Sequence, residues 1–458
     1  MSIRYLISCL IISLPLVSYP LLNYKGRAIQ LDWAVVALLS LSFYTHFMMR
    51  THYIKFGEHK LVCASTVLFI ALTSSLITPL YSGAASLMEE FFTTWAQYLI
   101  GIILFILCLN IRLEEKDLIW YLKLYLIVVF IVAVFGIIQF VASLIFHIDL
   151  YPHLHSAKYS EIGKTLAYRQ YLGHIKRPVS IFYEPRHFGS FVVTSVFILY
   201  LCLIHRMSIL YKSKVTKLFF VTILIAIVLS FSLSAYMAFS LMFISFYITG
   251  QFRKKISYIV LIIMFVVILD IILDSFTGTS VFGYFWKRSY IKISDLKNIN
   301  DFSVHYFGPL RYIRGYYSCF QLFKSHPLFG VGLNNTYFYI DPFFARTPPP
   351  ADLLASTGLV GFLCFFYFVF YFLRSLLKLK NRLVMNSKYQ FYSYIACIFA
   401  ISASIKSFFA SNYSYSSSWF WFELSFSALI YSNLKAKFKN NSNSGVAKTK
   451  KQKVIMTK

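Results

Sequence analysis

Arginine is the side chain whose placement carries the most chemistry in this sequence. Arg177 opens the run Arg177-Pro-Val-Ser-Ile-Phe-Tyr-Glu184-Pro185-Arg186-His187-Phe-Gly189. Arg311 and Arg314 precede a second run, Ser325-His326-Pro327-Leu-Phe-Gly330-Val-Gly332-Leu-Asn334-Asn335. A guanidinium fork donates two parallel hydrogen bonds to a phosphate and keeps its charge when partly desolvated. Arg177 and Arg311, then Arg186 and Arg314, are therefore candidates for holding a phosphate-class anion, with interfacial anchoring as the alternative. Glu184 suits ion pairing with Arg177 and Arg186 better than base catalysis. His187 and His326 have the ionisation of a general base; the alternative is a helix-end or loop histidine. Gly330 and Gly332 make a tight turn, which either presents amides to an anion or simply reverses the chain. Asn334 and Asn335 suit sugar hydroxyls or the turn itself. His153 and His155 have no further ligands beside them, so no metal site is expected.

These residues need a frame, and composition says what kind. Hydrophobic residues make up 58% of the 458-residue chain and charged ones 13%, with a mean hydropathy of +0.65. A soluble chain of that length needs far more charge to cover its surface. Apolar stretches that match a hydrocarbon core of ~30 Å recur along it. They lie near 5–22, 31–49, 61–81, 92–111, 119–146, 188–205, 218–233, 235–250, 257–277, 353–373, 391–410 and 416–434. The expected fold is an all-α polytopic membrane protein of about 12 transmembrane helices in one domain over residues 1–434. Its two large loops are 147–187 and 278–352. Ser230, Ser232 and Ser234 mark a polar tip between the short seventh and eighth helices, and short interrupted helices often border a site in the membrane.

The net charge of +27 invites a nucleic-acid reading, but in a membrane protein Lys and Arg first report topology. They concentrate at Arg4, in 50–60, 112–116, 206–217, 253–255 and 374–388, and from Lys435 onward, while the opposite short loops hold Lys25 and Arg27. Both termini are expected in the cytoplasm and both large loops outside. The Lys-, Asn- and Ser-rich segment 435–458 is expected to be a disordered tail against anionic headgroups. Of seven cysteines, Cys319 alone falls in a long loop, so no disulfide framework is expected. Nothing resembles a phosphate-cradling glycine loop, and the inner loops are too short to bind a nucleotide or nucleotide-sugar. Loop 147–187 carries six basic and three acidic residues, and loop 278–352 eight and four. That excess suggests a basic cavity at the outer leaflet for an anionic, membrane-borne ligand.

The two arginine-bearing runs, followed by Ala355-Ser-Thr-Gly358-Leu-Val-Gly361, resemble the O-antigen polymerase and ligase superfamily, the Wzy-type polysaccharide polymerases in particular. The family pattern of an Arg several residues before Glu-Pro, and of an Arg upstream of His-Pro-Leu-x-Gly-x-Gly, is met at both places. The resemblance spans roughly residues 90–410. It implies a glycosyltransferase of the bacterial cytoplasmic (inner) membrane, working without a cofactor or metal. The enzyme would pass a sugar chain from undecaprenyl pyrophosphate to the terminal sugar of another lipid-linked repeat unit. Arg177, Arg311, Arg186 and Arg314 would stabilise the departing pyrophosphate, and Glu184, His187 or His326 near the acceptor would take the hydroxyl proton. The partners implied are the carrier-linked oligosaccharide, membrane lipid, a chain-length regulator and a flippase, with no nucleic acid.

Two alternatives share parts of this picture. A ligase would use the same donor, but it should carry a histidine before the helix-opening Gly-x-x-Gly. Here that place reads Thr347-Pro-Pro-Pro-Ala-Asp352, which favours the polymerase and leaves Asp352 as a stand-in acid or base. A flippase should carry basic residues deep in its spans. Lys123 and Lys406 both fall near span ends, and Lys406 is expected to snorkel or to line the cavity.

Overall fold

The computed structural model describes the chain from Ile3 to Met456, apart from residues 19, 25–26, 50–57, 149, 151–170, 173–174, 183, 208, 211, 249–309, 341–346, 384–386, 410–414 and 416. The first half contains α1 (Ile3–Ser13), a 3-10 turn (Leu14–Ser18), β1 (Pro20–Tyr24), β2 (Arg27–Gln30), α2 (Leu31–Met48), α3 (His59–Ser74), α4 (Ile77–Ser82), α5 (Ala85–Asn110) and α6 (Glu115–Ile145). After β3 (Tyr171–Leu172) and β4 (Ile175–Lys176) come α7 (Pro185–His205), α8 (Ser213–Leu229) and α9 (Leu233–Ile248). The last group is α10 (Leu310–Ser325), α11 (Thr336–Tyr339), α12 (Pro349–Arg382), α13 (Ser387–Phe409) and α14 (Ser418–Met456). Among the described residues, the strands form two small antiparallel hairpins and the other elements are helical.

Among the described residues, seven helical segments are long and apolar enough to cross a membrane. They are Leu31–Met48, His59–Ser82, Ala85–Asn110, Glu115–Ile145, Pro185–His205, Pro349–Arg382 and Lys388–Phe408. The chain is thus an all-α, membrane-embedded bundle. In the apolar part of a bilayer a helix satisfies its own backbone groups, which is why this sequence resolves into helices there. Sequence and structure differ at three places. The expected first span, 5–22, is a short helix followed by a 3-10 turn and a hairpin, because Pro15 and Pro20 cannot donate the backbone bonds that would extend it. The third, 61–81, breaks at Ser75–Leu76 into α3 and α4. The helix α14, whose first part matches the twelfth span, has helical backbone as far as Met456. The ninth span, 257–277, lies outside the described residues.

The centre of the bundle is built from α7, α13 and α14. The apolar stretch of α7 is 89% buried and that of α13 is 72% buried, whereas the outer helix α2 is 28% buried. Lipid tails supply no hydrophobic drive between helices, so close packing has to hold them. Small residues make that contact possible. A Cβ at Gly101 on α5 would lie 2.2 Å from the Trp421 ring of α14, and one at Gly136 on α6 would lie 2.4 Å from the Phe188 ring of α7.

The two ends of the bundle differ in chemistry. At one end Arg4 pairs with Asp117 at 3.1 Å and Lys435 with Glu58 at 2.8 Å, while Lys388 and Lys437 both reach Glu115. The Asn433 side chain accepts from the Leu113 amide at 2.9 Å and donates to the Ile111 carbonyl, tying the α5–α6 connection to α14. Arg4, Lys388, Lys435 and Lys437, from segments assigned to one side of the membrane by charge, therefore gather at one end, while 253–255 lies outside the described residues. At the other end lie the hairpin, α4 and both motif-bearing segments.

Candidate functional site

The first motif is held against α6 by one glutamine. Gln139 Oε1 accepts from the amides of Ser180 at 2.7 Å and Val179 at 3.2 Å, and Nε2 donates to the carbonyls of Ser180 at 2.8 Å and Leu150 at 2.9 Å. Ser180 adopts a left-handed backbone (φ 54°), and its hydroxyl donates to the Val132 carbonyl at 2.7 Å. The segment after Arg177 is thus bolted to a membrane helix instead of hanging free. Arg177, half-buried, donates to the Phe231 carbonyl in the α8–α9 turn at 3.2 Å. Glu184 and Arg186 form an ion pair in which both side chains are largely buried. Of the two arginines expected to pair with Glu184, the structure places Arg186 against it. Pro185 then starts α7, where its missing N–H costs nothing. His187 in the first turn is 1% exposed and lies 5.7 Å from the Trp419 ring.

The second motif docks on a broken helix. Gly358 interrupts α12 with φ 62° and ψ −166°, a conformation open essentially to glycine alone. The break frees backbone groups, and the glycine turn takes them up. Val331 and Gly332 amides donate to the carbonyls of Ala355 (3.0 Å) and Ser356 (2.9 Å), while Leu359 and Val360 amides donate to those of Pro327 (2.8 Å) and Leu328 (3.2 Å). The Gly330 amide donates to the His326 carbonyl, so the amides of Gly330, Val331 and Gly332 are spent on backbone, the geometry of a turn that reverses the chain, the second of the two readings given for these glycines. Backbone approach is too close for side chains: a Cβ at Gly330 would lie 2.4 Å from the Ser356 carbonyl carbon, and one at Gly358 2.3 Å from the Leu328 oxygen. Thr78 on α4 closes the far side by donating to the Gly330 carbonyl at 2.6 Å.

Around this dock sit the remaining candidates. Asn335 is fully buried and donates to the Val331 carbonyl at 3.1 Å, whereas Asn334 reaches Glu90 on α5 at 3.3 Å. Asp352, in the first turn of α12, accepts from the Thr336 hydroxyl. Asn335 thus helps to build the turn, and Asn334 ties it to α5. His326 is half-exposed, with Nδ1 3.0 Å from the Ser325 hydroxyl. Arg311 and Arg314 lie one turn apart on α10; Arg314 is half-buried, and the Arg311 side chain lies outside the described residues. Burial, and then the charge of Asp352, push the Cys319 thiol on α10 above its ordinary range.

Lys406 is where expectation and structure part most clearly. Its ammonium neither snorkels nor meets solvent: the side chain is 0% exposed and pairs with Glu423 on α14, 5% exposed, at 2.7 Å. Thr194 on α7 and Ser402 on α13 complete the cluster. Glu423 was hidden in the sequence by its surroundings, Trp419-Phe-Trp-Phe-Glu423-Leu, which read as plain hydrophobic span. The available signal was an acid in one span and a base in the span before it.

The fold thus collects Arg177, Glu184, Arg186 and His187 around the start of α7, and Gly330, Gly332, Asn334, Asn335 and Asp352 around the break in α12. Both groups lie at the same end of the bundle. Among the described residues, no cluster of His, Cys, Asp and Glu has the makings of a metal site. In comparisons with known proteins, no family model and no curated protein matches the chain.

Proposed function

We propose that this protein is a membrane-embedded glycosyltransferase that lengthens lipid-linked glycans, in the manner of the Wzy-type polymerases its motifs resemble. The observation that carries the reading is the seating of the two motifs. The first is fixed to α6 through the side chains of Gln139 and Ser180 and the second to α12 by backbone hydrogen bonds, at the same end of the bundle, with Arg177 and Arg186 on the first segment and Arg311 and Arg314 on the helix leading into the second. Preorganised cations are what a departing pyrophosphate requires, since charge develops on the leaving oxygen in a medium of low dielectric. The acceptor hydroxyl oxygen forms the new bond to the anomeric carbon, the bond to pyrophosphate breaks, and the hydroxyl proton passes to a base. His326, within the second motif, and Asp352, beside it, suit that role. The enzyme would act at the outer face of a bacterial cytoplasmic membrane, with both termini inside. Its donor and acceptor would be undecaprenyl-pyrophosphate-linked repeat units, ahead of a chain-length regulator and after a flippase.

Substitution of the arginines tests this reading. Arg177→Ala or Arg311→Ala should abolish chain growth while the protein remains in the membrane, and Lys should restore it partly, because a point charge does not reproduce the fork. Normal polymer lengths from both alanine variants would remove the basis for the pyrophosphate assignment. A second reading, a transporter of lipid-linked oligosaccharide, gains support from the Lys406–Glu423 pair, because charges at such depth mark ion or substrate pathways. It predicts carrier movement across the membrane without lengthening.

A further inference from the structure

The hydrogen bonds around Lys406 and Glu423 leave one atom over. Ser402 donates to Thr194 Oγ1 (2.6 Å), Thr194 donates to Glu423 Oε1 (2.7 Å), and Lys406 Nζ donates to Thr194 Oγ1 (2.6 Å) and Glu423 Oε1 (2.7 Å). Every donor to the carboxylate converges on Oε1. Glu423 Oε2 is buried and has no hydrogen-bond partner among the described residues. A carboxylate oxygen stripped of water and of donors is costly, and a purely structural ion pair would be expected to satisfy both oxygens. A proton on Oε2 removes that cost and leaves each bond at Oε1 in place.

Placement adds a route. Glu184, His187 and Thr194 share one face of α7 by their spacing, and that face runs from the motif-bearing end to the pair. His187 borders Trp419, which stands one turn before Glu423 on α14. Among the described residues, the titratable group beside the pair is Tyr125 from α6, next to Thr194 and Glu423, while His187 lies about two turns before Thr194 on α7. Of the other helices packed on this core, α9 has no charged residue, and α5 and α12 carry theirs towards their ends.

We propose that Glu423 and Lys406 form an intramembrane proton-exchange site in which Glu423 Oε2 takes the proton, reached from the motif-bearing end along α7. One proton is bound, the carboxylate becomes a carboxylic acid, Lys406 stays an ammonium, and the charge of the core rises by one. A cation left so exposed electrostatically favours an anion in the bundle or release of the proton, so occupancy of the site is linked to what the bundle holds. The inference does not depend on the glycosyltransferase reading.

Infrared difference spectroscopy of the full-length protein in liposomes, titrated from alkaline to acidic pH, tests it. A protonated-carboxyl band should grow in the native protein and be missing from Glu423→Gln, whose amide oxygen keeps the bonds to Lys406 and Thr194. In Lys406→Met the band should persist but change frequency, because its carboxyl no longer borders the ammonium. Carbon-13 glutamate in the native protein should shift the band, which assigns it to a glutamate and separates it from aspartates such as Asp352 even if a variant fails to fold. A titrating band untouched by the label or by Glu423→Gln overturns the proposal. So does the absence of any such band across the pH range in which the native protein stays folded.

Discussion

Lys406 and Glu423 show how a single residue's role depends on a partner the chain brings from elsewhere. Removing one member strands a charge in a dry core, so Lys406→Ala should cost about 3–5 kcal/mol of stability, whereas replacing both by apolar side chains of similar volume should cost far less. Thermal unfolding in detergent, run as a double-mutant cycle, measures the difference. Cys319 offers a second check at this scale. Burial and the nearby Asp352 carboxylate hold its thiol protonated, and the thiolate is the reactive form. Maleimide should therefore label Cys319 at neutral pH only once the protein is unfolded; rapid labelling of the folded protein would contradict the packing of α10. The arginines and Glu184 were legible in the sequence because a cation beside Glu-Pro is a local pattern. The Glu423 pairing was not, since it joins residues on separate helices.

Elements position the motifs through bonds between distant parts of the chain. A Cβ at Gly358 would clash with the Leu328 carbonyl in a backbone conformation closed to other residues, so Gly358→Ala should leave little folded protein in the membrane. Gln139→Ala should be milder. It removes four hydrogen bonds that hold residues 150 and 179–180, so limited proteolysis should cut faster near Ser180 while the bundle persists. Unchanged cleavage would mean that Ser180 and Arg177 suffice to hold the segment. The glycine turn itself was legible from Gly330 and Gly332. What it turns against was not, because a helix broken at Gly358 reads as a continuous apolar span by hydropathy. The early end of α1 was missed for a related reason: apolar length alone gave no weight to Pro15 and Pro20.

At the scale of the whole molecule, composition and apolar spacing made a helical membrane bundle legible, and Arg4, Lys388, Lys435 and Lys437 meet at one end of it. A reporter active only outside the membrane should work when fused after Tyr168 or Asn298 and stay silent after Lys214 or at Lys458. Activity at either of the last two positions would reverse the assigned orientation. The catalytic reading rests on the motif seats, and reconstitution tests it most directly. Purified protein in liposomes, given only undecaprenyl-pyrophosphate-linked repeat units of the correct sugar, should produce a ladder of longer lipid-linked chains without nucleotide, nucleotide-sugar or added divalent metal. A ligase would leave that mixture unchanged until a different acceptor was added, and a transporter would move the lipid without lengthening it. Single-repeat lipid that persists beside verified, folded protein would contradict the polymerase account.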